Sequence, residues 1–220
     1  MDFQIIRSRR KTIAVEITKE GDILVRAPLR AARREVTAFV EAHVDWIARK
    51  LAQVRERKAQ SAPRQFREGE SFFFLGKPHG LRFTGDGDYL RRRDDEFLLG
   101  SDLSARAASL FRTWYRARAR EIIEDRVVAF ARQMGLDVKG VRITDARERW
   151  VSCSVSGGLN FAWRLVMAPP EVIDYVIVHE LAHRVEMNHS RRFWERVGSV
   201  LPDYAVRRKW LRENGHRLSL

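Results

Sequence analysis

Five residues, His179-Glu180-Leu181-Ala182-His183, constrain this 220-residue chain more than any other feature. Histidines four positions apart fall on one face of an α-helix, one turn apart, so both imidazoles can reach a single zinc ion. Glu180, beside the first histidine, is placed to take a proton from water activated at that metal. The pattern carries chemistry only on a helix, and the flanking residues read as one. Pro169-Pro170 provide a helix start, and Val172, Tyr175, Val176 and His179 recur at helical spacing. The motif therefore sits in an amphipathic helix with its ligands on the inward side.

Two residues compete for the third ligand position. His189 follows His183 by six residues. On a straight helix it would lie roughly 15 Å along the axis from His179. Zinc–nitrogen bonds are about 2.0–2.1 Å long, so His189 can join only if the helix breaks after His183. Asn188, which tolerates a left-handed conformation, is the expected place for the break. Glu186 is the rival, on the same face as His179 and needing no break. The residues favour His189 and leave Glu186 open.

The segments around the motif carry a specific resemblance. Ile173-Asp174-Tyr175-Val176-Ile177-Val178 runs into His179, Asn188-His189-Ser190 leads to Phe193-Trp194, and Leu201-Pro202-Asp203-Tyr204 follows. The chain resembles the YgjP-like metallopeptidase family, related to the SprT-like and WLM-type zincins. The likeness covers most of the chain and is strongest from Trp150 to Gly215. It implies His179, His183 and His189 as zinc ligands and Glu180 as general base. It also implies that the strand before the motif helix, around Asn160-Phe161-Ala162-Trp163, forms a cleft rim whose exposed edge can pair with an extended peptide. One departure is Val151, where the family has glycine after the tryptophan.

Composition narrows the classes. Hydrophobic residues make up 45% of the chain, ordinary for a globular protein. No apolar run approaches the roughly 20 residues of a membrane span. Met1 to Arg7 shows no signal-peptide core, and the lone cysteine, Cys153, permits no intrachain disulfide and reads as a small core residue. These features place the expected location in the cytoplasm. The net charge of +13 implies weak attraction to polyanions such as nucleic acid. The clusters are Arg91-Arg92-Arg93, offset at once by Asp94-Asp95-Glu96, and Arg207-Arg208-Lys209.

In chain order, Phe3 to Pro28 reads as strands around a Glu20-Gly21-Asp22 turn. A single helix from about Ala31 to Arg57 follows, with His43 as a packed core histidine on its apolar face. Ser61-Ala62-Pro63 begins a connection. Phe72–Leu75 and Leu81–Phe83 form a hairpin across Gly76–Gly80, and Gly85-Asp86-Gly87-Asp88 is a turn rather than a calcium loop. A helix capped by Asp102 or Ser104 runs to about Met134, burying Phe111, Trp114, Ile122, Val127, Phe130 and Met134. Strands at Val138–Thr144, Trp150–Val155 and Leu159–Met167, with a turn at Ser156-Gly157-Gly158, precede the motif helix. Ser190 caps a helix over Arg191–Val200, and Val206–Asn214 forms the last.

The expected fold is α+β, an N-terminal β/α region (1–100) packed on a C-terminal zincin-like catalytic region (101–220). The expected function is a zinc-dependent metallopeptidase acting on peptide or protein substrates, with Glu180 as general base and Tyr175 or Tyr204 as oxyanion stabiliser. The alternatives are a metal-dependent nucleotide phosphohydrolase, disfavoured by the lack of a phosphate-binding glycine loop, and a basic nucleic-acid-binding module with a structural zinc.

Overall fold

The computed structural model describes all residues except 61, 62, 86, 88, 148 and 154–157, and the side chains of Gln60 and Cys153 also stand outside the description. The reading of Cys153 as a core residue therefore lies outside the described residues. So, in part, do the turns expected at residues 61–63, 85–88 and 156–158.

The chain divides into two compact units, Met1–Ala62 and Pro63–Leu220. A division after residue 100 does not match this, because the strands at 71–100 bury Phe72, Leu81, Phe97 and Leu99 in one core with Phe111 and Tyr115 of the helix that follows. The sequence breaks where the hydrophobic cores break.

In the first unit, β1 (Gln4–Ser8), β2 (Ala14–Ile17) and β3 (Ile23–Pro28) form a sheet in the order β1-β3-β2. β1 runs parallel to β3 and β2 antiparallel to it. Alternate β3 residues Ile23, Val25 and Ala27 bury against Val36, Val40 and Ile47. The expected single helix is two, α1 (Arg33–Ala42) and α2 (Val44–Gln60). His43 is the reason. Its ring stacks on Phe39 with centroids 4.3 Å apart, and its Nδ1 lies 2.7 Å from the Phe39 carbonyl oxygen. The side chain folds back on its own helix end and is exposed, not packed in the core.

The second unit begins with β4 (Ser71–Phe74), β5 (Lys77–Thr84), β6 (Arg91–Arg93) and β7 (Glu96–Gly100), in the order β4-β5-β7-β6. The β4–β5 hairpin turns on two residues, Leu75 and Gly76, with φ of 49° and 78°. This is the mirror-image turn that suits twisted strands, tighter than the five-residue turn expected. The long helix α3 spans Ala107–Gln133 after a 3-10 turn at Ser101–Arg106, and no side chain caps its start. Its buried stripe is Ala107, Phe111, Tyr115, Ala119, Ile123, Val127 and Ala131. Trp114, Ile122, Phe130 and Met134 only flank this core. Alanines share the inward stripe with the large aromatic residues.

The remaining strands are β8 (Val141–Thr144), β9 (Val151–Cys153) and β10 (Leu159–Ala162), in the order β8-β10-β9. β10 is the central strand, parallel to β8 and antiparallel to β9. The expectation of a free edge at Asn160–Trp163 is thereby overturned, because both sides of β10 are already hydrogen-bonded. Trp163–Met167 is a buried 3-10 turn rather than a continuing strand. It leads to the helices α4 (Pro170–Ala182), α5 (Arg191–Val200) and α6 (Tyr204–Asn214). None of the described helices is long and apolar enough to cross a membrane.

Candidate metal centre

α4 starts at Pro170, where a missing N–H costs nothing, and buries Val172, Ile173, Val176, Ile177 and Val178. Its α-helical run stops at Ala182, so His179 lies in the last turn and His183 caps it with φ −64° and ψ −17°. The break therefore comes earlier than Asn188, and Asn188 does not take a positive φ. The chain instead tightens. Arg184 N–H donates to Leu181 O at 3.0 Å and Val185 N–H to Ala182 O at 3.1 Å. These are the three-residue bonds that close a helix end. From there an irregular segment carries His189 back toward the helix.

Ser190 then restarts helical structure. Its Oγ accepts the Phe193 N–H at 3.3 Å, the cap expected from the sequence. The cap sets Phe193 beneath the histidines. Phe193 is fully buried, and its ring centroid lies 4.9, 4.4 and 4.8 Å from those of His179, His183 and His189. Trp194 stacks on His189 at 5.6 Å and on Tyr204 at 5.2 Å.

The three histidines converge. One ligand nitrogen from each lies within 4.8 Å of the others, and among the described residues no further histidine, cysteine or carboxylate joins the group. His189 Nε2 and His179 Nε2 are 3.1 Å apart. Two neutral lone pairs cannot face each other at that distance without a shared proton or cation. Tetrahedral ligands on metal bonds of about 2.0–2.1 Å sit about 3.3 Å apart, so this pair is close enough to share one metal ion. Burial, then the charges of His183, His189 and Arg208, push the His179 imidazole down to about 4. Burial first, then His183 and Arg208, lowers His189 as well. Neutral imidazole is the form that binds metal.

The outer contacts orient these rings. His183 Nδ1 lies 3.1 Å from the Glu186 carbonyl oxygen. Donation of its N–H there leaves the Nε2 lone pair free for a metal. The Glu186 contribution is thus a backbone oxygen, which residue type could not reveal, and its carboxylate stays outside the cluster. The Tyr175 hydroxyl lies 3.5 Å from His179 Nδ1, a long contact on the side of the ring away from His189. Burial raises the Tyr175 phenol above its ordinary value. Tyr204 is packed on Trp194. Glu180 is half-buried, and desolvation, opposed by His183, raises its carboxyl above the usual range.

Ahead of α4, a polar group at the edge of the core braces the 3-10 turn at Trp163–Met167. Trp163 Nε1 donates to Asp145 Oδ1 at 2.7 Å, and Arg164 pairs with the same oxygen at 2.8 Å while its guanidinium lies 4.3 Å over the Trp163 ring. Arg126 of α3 pairs with Asp174 of α4. Val151, at the departure from the family pattern, is an ordinary β9 residue opposite Phe161.

A comparison with curated proteins finds no match to the chain. The profile of the YgjP-like metallopeptidase domain, however, matches residues 11–214. With that match spanning nearly its whole length, the chain belongs to the YgjP-like family of metallopeptidase domains.

Proposed function

We propose that the protein is a zinc-dependent peptidase whose metal is held by His179, His183 and His189 and whose general base is Glu180. The convergence of three imidazole nitrogens from α4 and the segment after it carries this reading. Three protein ligands leave a coordination position open, as catalytic zinc requires, whereas a structural zinc takes four. When bound, zinc supplies Lewis acidity, polarising a carbonyl and acidifying water.

The chain's own residues do the rest. Glu180, one position from His179 and half-buried, accepts a proton at its carboxylate and later delivers it to the leaving amine. Its raised pKa suits both halves of that transfer. The Glu186 carbonyl fixes the His183 tautomer, and Tyr175 stands behind His179. Phe193 floors the site and keeps water from its underside. Attraction to polyanions through the +13 charge is a secondary property, weakened by salt.

The test is metal analysis together with hydrolysis of peptide and nucleotide libraries. The expected result is about one zinc per chain, peptide cleavage abolished by chelation and restored by zinc, and a Glu180→Gln variant that keeps zinc and fold while losing cleavage. Cleavage of nucleotides but no peptide would favour the phosphohydrolase instead. Undiminished turnover in zinc-replete Glu180→Gln would remove Glu180 from its role.

A further inference from the structure

Beside the three histidines lies a cation that the proposed chemistry does not use. Arg208 stands on α6, and its guanidinium carbon sits 4.7 Å over the ring of Trp194. Trp194 in turn stacks on His189, its ring inclined by 23°. One aromatic ring therefore separates Arg208 from the candidate third ligand.

The neighbouring arginines are already engaged. Arg207 pairs with Asp203 at 2.9 Å and donates to the Glu171 carbonyl, and Arg191 pairs with Glu195 at 2.7 Å. Arg208 is exposed and meets no carboxylate among the described residues. Its contact among the described residues is the indole face, and a guanidinium held over a ring keeps its edge N–H groups able to hydrogen-bond elsewhere. That edge is the fork that grips a carboxylate with two parallel hydrogen bonds. The Trp194 ring that carries this charge also stacks on His189, so a group gripped by Arg208 would lie beside the histidines.

We propose that Arg208, held on the face of Trp194, is a substrate anchor that takes a peptide carboxylate close to the bond to be cut. The substrate class rests on the peptidase reading above. The carboxylate has two sources, the C-terminus of a short peptide or an acidic side chain flanking the scissile bond. Either would make the enzyme selective for acidic or C-terminal substrates through binding, independently of Glu180.

The experiment measures binding rather than turnover. Zinc-loaded Glu180→Gln protein is titrated by fluorescence anisotropy into N-terminally labelled tetra-alanine, its C-terminal amide, and amides carrying one glutamate or one glutamine. A C-terminal anchor predicts that the free acid binds about tenfold tighter than the amide, and a side-chain anchor predicts the same margin for glutamate over glutamine. Adding Arg208→Gln should erase the preference, and Arg208→Lys should keep part of it, since the charge survives without the fork. Equal binding of all four probes, or a preference that survives Arg208→Gln, overturns the proposal. So does loss of zinc from Arg208→Gln, which would mean that the residue acts only through the ligands. An Arg208-dependent preference in a protein whose parent form cleaves no peptide would support the anchor and sink the peptidase reading.

Discussion

Glu186, seven positions after His179, and His189, six after His183, compete for one place in the sequence and meet different ends in the fold. Glu186 keeps the period of the helix, but α4 has ended before reaching it, so its carboxylate no longer shares the face of His179. His189 breaks the period and still arrives 3.1 Å from His179. The consequence is measurable. His189→Ala should weaken zinc binding by about a hundredfold or more, beyond the 10–100-fold typical of losing an outer partner. Glu186→Ala should change it little, because the oxygen facing His183 belongs to the backbone and survives the substitution. Zinc titration of the two variants against the parent checks both expectations.

At the scale of elements, the site depends on how α4 is started as much as on how it ends. The β4–β5 turn presses against that start. Leu75 and Gly76 donate their N–H groups to Val166 and Met167 oxygens at 2.8 and 3.1 Å. Gly76 has φ +78°, and a Cβ there would lie 2.8 Å from Pro169 Cγ and 2.9 Å from Pro169 Cα. Gly76→Ala must both adopt a disfavoured backbone and push away the residue that precedes α4. The expected cost is about 1–3 kcal/mol, read from the urea midpoint, with a weaker zinc affinity alongside if the helix start moves. The hairpin itself was legible from Phe72 to Phe83, but its two-residue turn was not. Leu75 gives no hint of a positive φ, and only the approach of residues 166–169 explains it.

Across the whole molecule, two separate cores and a strong positive charge set the response to acid. Protonating carboxylates adds to a net charge that is already +13, so repulsion grows as pH falls. Asp145 adds a specific contribution. Burial opposes its charge, but the Trp163 N–H and the Arg164 cation outweigh burial and hold its carboxyl below the usual carboxylate range. A depressed folded-state pKa stabilises the fold above the unfolded value of about 3.9, and that stability is lost as pH falls through the lower, folded value. Asp145→Asn should therefore be less stable than the parent near neutrality, because Arg164 is buried and loses its counter-charge. The gap should narrow as pH falls below about 3.9 and close only below the lower, folded-state value, where the parent carboxyl is neutral as well. Urea unfolding of both proteins between acidic and neutral pH would show the convergence.

What the sequence determined by itself was local. The spacing of His179 and His183, the prolines before α4, the Ser190 cap and the aromatic pair Phe193-Trp194 each act within a few residues, and each appears where the chain alone places it. The tertiary structure decided what depends on distant partners. It set β10 in the middle of its sheet, since strand order follows from which edges meet and not from any strand's own pattern. It set Ala107, Ala119 and Ala131 on the inner face of α3 beside Phe111 and Tyr115, because the fit to neighbouring elements and not the spacing of large apolar residues decides which stripe is buried. It moved the unit boundary to residue 62, and it brought Arg208 to Trp194 and the β4–β5 turn to Pro169. Such contacts join side chains to backbone atoms and to rings far away in the chain, and no residue type announces them.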